Sequence, residues 1–167
     1  MKIIIAIDLL SQLTTSDLLQ KSIVVGITLH YPDLYRGTML NHSTLERLRY
    51  QKSNLIEIKL SEEEMLHYHQ EFTRCDQHRC LTFEDYVAVA YAKSKGMMLL
   101  ADKGFLCRYA ISNGVEVISL KELEEYCLQR QRQVRSRKER LRSHFDNQEL
   151  ITEKEPMQQS IDDDTTF

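Results

Sequence analysis

Two unbroken apolar runs, each ending on an aspartate, constrain this chain more than any other feature. Ile3-Ile4-Ile5-Ala6-Ile7 leads into Asp8, and Met97-Met98-Leu99-Leu100-Ala101 leads into Asp102. A strand without polar alternation has both faces covered, which is the signature of a parallel sheet packed by helices on each side. Other segments continue that pattern. Ser22 to Leu29, Leu55 to Lys59 and Val115 to Ile118 read as strands. A short helix is predicted around Thr14 to Lys21, before the second strand, with Pro32 opening a loop after it. Ser43-Thr44-Leu45-Glu46, Ser61 with Glu64, and Ser119 with Glu122 have the reciprocal capping pattern that opens a helix. Thr82-Phe83-Glu84-Asp85 opens the most apolar helix, Tyr86 to Ala92, which Gly96 stops. A helix from about Phe105 closes at Asn113-Gly114. Strands alternating with helices predict an α/β fold with a parallel sheet and right-handed crossovers.

A length of 167 residues fits one core, and an apolar share of 42% is enough to fill it without staples. No apolar run approaches the ~20 residues that span a bilayer. The opening run is too short for a signal-peptide core and reads better as a first strand, so a cytoplasmic location is expected. Cys75, Cys80, Cys107 and Cys127 are then expected as free thiols. Cys75, His78 and Cys80, with His67 and His69 upstream, match no standard zinc spacing and read as surface polar residues.

Charge divides the chain. Residues 1–128 hold 14 Lys/Arg against 17 Asp/Glu, residues 129–145 hold 7 against 1, and residues 146–167 hold 1 against 7. This ordering predicts a folded domain at 1–128, a basic helical extension at 129–145 and a disordered acidic tail at 146–167.

The chemistry is expected at the aspartates. In an open parallel sheet the carboxyl ends of the strands share one edge, and ligands bind in the crevice there. Asp8 and Asp102 are both predicted to face it. Asp85 shares a helical stripe with Val89 and Ala92, so it points along a packed face. Crowded carboxylates repel, and a hard divalent cation such as magnesium relieves that conflict with a few carboxylates, waters and phosphate oxygens. Each aspartate also has a purely structural reading. Asp85 favours its helix dipole by ~0.3–1 kcal/mol. Asp102 suits a turn before Gly104 and Asp8 suits a helix N-cap.

The stretches Leu81 to Ala92, Leu99-Leu100-Ala101-Asp102-Lys103 and Asn113 to Ile118 resemble the second half of PIN domains. The resemblance extends over residues 81–120, more faintly over 1–60, and not past about 128. It implies a three-layer α/β/α sandwich around a central parallel sheet. It further implies a Mg2+- or Mn2+-dependent endoribonuclease acting on single-stranded RNA, related to VapC-type toxins. Asp8, Asp85 and Asp102 match the family's first, third and fourth acids and would hold the metal. The segment Pro32 to Thr38 resembles the region of the second acid but carries Gly37-Thr38 there, which leaves Glu46 as the candidate fourth catalytic acid. Leu9 and Leu10 stand where the family has small or hydroxyl residues. These departures keep a second reading open: a catalytically inactive PIN-like module binding RNA or a protein. An antitoxin protein and a homodimer are further assemblies the resemblance implies. A receiver-like α/β fold also gathers aspartates at strand ends, but an acidic pair after the first strand is missing.

The basic block consists of Arg130, Arg132, Arg135, Arg137, Lys138, Arg140 and Arg142. Its side chains are expected to neutralise RNA phosphates. With no aromatic residues interleaved, a solvated cationic helix is the competing reading.

Overall fold

The structure, a computed structural model, describes residues 1–37, 43, 46–47, 55–75, 80–102 and 104–152, with 143–152 as backbone alone. The apolar start forms β1 (Lys2–Ile5). The chain then turns at Ala6 into α1 (Ile7–Thr15) and continues through α2 (Leu18–Val24) to β2 (Thr28–Pro32). A short 3-10 helix, Asp33–Gly37, follows. Beyond it come β3 (Leu55–Ile58), α3 (Glu62–Arg74), α4 (Phe83–Lys95), β4 (Met98–Leu100), α5 (Gly104–Ser112), β5 (Val117–Ile118) and α6 (Leu120–Thr152).

Several boundaries differ from the sequence expectation: the one short helix expected around Thr14 to Lys21 is two, α1 and α2, parted at Ser16 and Asp17, and the last strand is only Val117–Ile118. The first strand stops at Ile5, so Asp8 belongs to the first turn of α1 rather than to a strand end. The second strand begins at Thr28, because Ser22, Ile23 and Val24 complete α2. The β-branched pair reads as strand, but Leu18, Leu19 and Ser22 are buried at helical spacing, and that packing overrides the propensity.

Among the described residues the sheet has the order β3-β2-β1-β4-β5, every pairing parallel. A receiver-type sheet would run 2-1-3-4-5. β1 is central, and alternate side chains feed two cores. Ile3 and Ile5 pack with Leu9, Leu10, Leu13, Leu29 and Tyr35 under α1 and α2. Ile4 and Ala6 pack with Ala88, Val89, Leu99 and Leu106 under α4 and α5. Burying each such Ile or Leu is worth about 1.5–3 kcal/mol. The result is the three-layer α/β/α sandwich expected from the PIN resemblance.

Two of the expected capping boxes are in place, while the helix expected after Ser43 runs into residues outside the described part. Ser61 and Glu64 close a reciprocal box at 2.9 and 3.2 Å, and Ser119 and Glu122 do so at 2.8 and 3.2 Å. The chain divides into two compact units, Met1–Gln131 and Arg132–Phe167. The first holds the sheet and its helices. The second, as far as it is described, is helix, and α6 includes the basic block and the opening of the acidic segment up to Thr152. Residues 153–167 lie outside the described part. Among the described residues no helix is long and apolar enough to cross a membrane.

Candidate metal-binding acidic site

The order of the sheet fixes where ligand chemistry can occur. The chain moves outward from β1 to β2 and β3, then returns to lay β4 on the other side of β1. The crevice lies at the carboxyl ends of the two strands where that direction reverses. Ile5 is paired with Leu100, and the Ala6 amide donates to the Leu100 carbonyl at 2.9 Å, so the two chains leave the sheet side by side. Asp8 and Asp102 are each two residues beyond that point.

Asp8 is half-buried in the first turn of α1, with its Oδ1 closed to solvent. Asp85 is only 4% exposed, and its Oδ1 is also closed to solvent. Thr82 caps α4 by accepting the Asp85 amide at 3.1 Å, which sets the first turn that carries the carboxylate. Asp102 is exposed, and its Oδ1 accepts the Leu120 amide at 3.2 Å. It therefore helps cap α6, a structural role concurrent with any other.

Two side chains lie within the electrostatic reach of these acids. Tyr35 is fully buried and its hydroxyl donates to the Ile5 carbonyl at 3.0 Å. Burial first, then the negative charges of Asp85, Glu84 and Asp8, hold its phenol well above the usual 10.0. The Cys107 thiol donates to the Ala101 carbonyl at 3.4 Å. Burial first, then Asp102 and more weakly Asp8, push that thiol up. The charges of Asp8 and Asp85 thus both act on Tyr35, and those of Asp8 and Asp102 both act on Cys107. Tyr35, Glu84 and Cys107 were not singled out from sequence. Glu84 could have been, as the half-buried acid beside Asp85; the tyrosine and cysteine carried no local signal.

The donor chemistry fits a hard divalent cation, since magnesium needs only one or two carboxylates alongside water and phosphate oxygens. Among the described residues no three His, Cys, Asp or Glu side chains form a group that could hold a metal ion. Glu46 is helical and exposed, unlike Asp85, and its neighbours Thr44 and Leu45 lie outside the described residues. All four cysteines are free thiols, while His78 lies outside the described residues.

The basic side chains are exposed along α6. Arg130, in the first unit, donates from Nε to the Tyr126 hydroxyl at 3.2 Å and stacks its guanidinium 5.6 Å from that ring. Arg132, Arg135, Arg137, Lys138, Arg140 and Arg142 belong to the second unit.

No protein-family profile matches the sequence, and no curated protein matches it. Solved structures similar to the chain include a PilT N-terminus domain protein from the hyperthermophilic archaeon Sulfolobus solfataricus P2. It is 16% identical with a TM-score of 0.49, over 77% of this chain and 94% of that one. A second is VapBC2 from Rickettsia felis bound to a DNA fragment from its promoter, 13% identical with a TM-score of 0.49, over 71% of this chain and 98% of that one.

Proposed function

We propose that the chain is a metal-dependent endoribonuclease that hydrolyses phosphodiester bonds of single-stranded RNA. The observation that carries the reading is the departure of the Asp8 and Asp102 segments side by side from the paired strands β1 and β4, with Asp85 buried in the first turn of the helix that leads into β4. The PIN resemblance of residues 81–120 supplies the reaction class. Asp8, Asp85 and Asp102 would hold Mg2+ or Mn2+, with Glu46 completing the set. A divalent cation so held supplies an acidified water and a counter-charge for a phosphoryl group under attack. Asp85 contributes a carboxylate already withdrawn from water, so it loses little solvation on engaging a cation. Asp8 and Asp102 would supply carboxylates to that cation from beyond the ends of adjacent strands. The basic residues from Arg130 to Arg142 neutralise RNA phosphates and retain the strand. On the same resemblance the proposal extends to an antitoxin-type inhibitor and to a homodimer.

The test is cleavage of a labelled single-stranded RNA with Mg2+ or Mn2+. Asp85→Asn is expected to lower the rate by at least about 100-fold, since metal charge stabilisation is worth several kcal/mol. Equal rates for the two proteins would remove the site.

A second reading is favoured by one observation. With no closed three-ligand group among the described residues, the chain could serve as a catalytically inactive module that binds RNA or a protein. Manganese calorimetry separates the two. Saturable binding lost on Asp102→Asn supports the enzyme, and no binding by the wild type supports the module.

A further inference from the structure

The segment that the PIN resemblance aligns with the family's second acid delivers a phenol instead. The 3-10 helix Asp33–Gly37 turns Tyr35 inward until it is fully buried. The ring packs in the core beneath α1 and α2, among Ile5, Leu9 and Leu10. The hydroxyl reaches the carbonyl of Ile5, the last residue of β1, where the chain turns through Ala6 into the helix carrying Asp8. Asp85 and Glu84, from α4 on the opposite layer, act on the same phenol as Asp8 does. Tyr35 is therefore anchored in one layer, tied to the central strand, and in the field of acids from the other layer.

We propose that Tyr35 is the positioning residue of the acidic site, its buried hydroxyl fixing the turn from β1 into α1 so that Asp8 is held in place to address a divalent cation. The proposal rests on the metal-site reading above. The physical requirement is separation. Carboxylates drawn toward a common ion repel one another before it arrives, and something neutral and rigid must hold the turn that carries Asp8 in place. A tyrosine does this with two side-chain torsions, both locked by core packing. Outer-shell groups that orient metal ligands in this way are worth 10–100-fold in metal affinity.

The experiment is manganese calorimetry on the full chain, comparing wild type with Tyr35→Phe, Asp85→Asn and Tyr31→Phe. Tyr31 is a suitable control: it is equally buried in the same core, and its hydroxyl accepts from Arg36 at 3.4 Å. Tyr35→Phe is expected to keep the far-ultraviolet dichroism and cooperative unfolding of the wild type and to bind manganese about 10-fold more weakly. Tyr31→Phe should bind as the wild type does. A tyrosine near-ultraviolet dichroism change on adding manganese should appear in wild type and Tyr31→Phe and vanish in Tyr35→Phe. Unchanged affinity in Tyr35→Phe, with binding abolished in Asp85→Asn, overturns the assignment of Tyr35 and leaves the site standing. Equal losses in the two tyrosine variants reduce the effect to general loosening and overturn it as well. No binding by wild type, or none lost in Asp85→Asn, removes the site and the positioning role together.

Discussion

Tyr35 couples stability to pH in a direction that its burial dictates. The phenol is uncharged when protonated, and the interior together with three nearby acids holds it that way well past 10.0. In the unfolded chain the same group ionises near its usual value. Above that pH the unfolded state releases a proton that the native state keeps, so native stability falls as pH rises, by about 1.4 kcal/mol per unit for this one residue. Below about pH 10 the contribution is complete. Tyr35→Phe removes the hydrogen bond to Ile5 and should cost about 1 kcal/mol at neutral pH. It also removes the titration. Urea unfolding of both proteins between pH 7 and 11 should show the gap narrowing above pH 10 and then reversing; a constant gap would mean that the phenol ionises freely in the native state. The contrast with the acids shows what a sequence can reveal at this scale. Asp8 and Asp102 stand out because each ends an apolar run, and Asp85 because it opens a capped helix. Tyr35 sits in a loop-like stretch after a proline, without periodicity, and only the chain crossing over the end of β1 gives it a role. The second task of Asp102, capping α6, was equally hidden, because Leu120 is brought to it by the pairing of β4 with β5.

α4 carries the most buried acid among the described residues and is bounded by features that the sequence displays. Thr82 closes one end, and Gly96 closes the other in the left-handed conformation, at φ 59 and ψ 41. A Cβ on Gly96 would meet nothing within 4 Å, so the cost of a side chain there is conformational alone. Gly96→Ala is accordingly expected to lower stability by about 1–2 kcal/mol, and Gly96→Asn by less, because asparagine tolerates this region. Thermal or urea unfolding measures both; equal losses would point to packing rather than backbone strain. Helices with caps of this kind were legible: α3, α4 and α6 all begin where Ser61, Thr82 and Ser119 say they should. The boundary from β1 to α1 was not, since Ile7, Leu9 and Leu10 prolong the apolar run and the Ala6 cap position makes no side-chain bond. Nor was α2, whose Ile23-Val24 end favours a strand until Leu18 and Leu19 are seen packing into the core with α1. Local chemistry marks the ends of elements well when a polar side chain does the capping, and poorly when the turn is made by apolar residues.

For the whole molecule, net charge is a poor guide to RNA affinity. The chain totals −3, with a sequence pI near 6.1, which on its own argues against a polyanionic partner. Charge acts locally, however: at physiological ionic strength fields are screened within ~8 Å. Residues 129–145 carry seven basic side chains against Glu139 alone, all of them exposed on continuous helix. An RNA strand on that helix meets the local positive density, and acids beyond a screening length weigh little. Each phosphate contact on single-stranded RNA releases counterions and adds about −0.7 to the slope of log K against log salt. Replacing Arg132, Arg135 and Arg137 together by glutamine should flatten that slope by about 2, while Asp85→Asn should leave it unchanged. Fluorescence anisotropy with a labelled single-stranded RNA across a salt series reads both. If the triple variant keeps the wild-type slope, the helix is a solvated cationic surface and the RNA is held elsewhere. If the slope flattens while metal-dependent cleavage at saturating RNA is retained, retention and chemistry are separable functions of two regions of one chain.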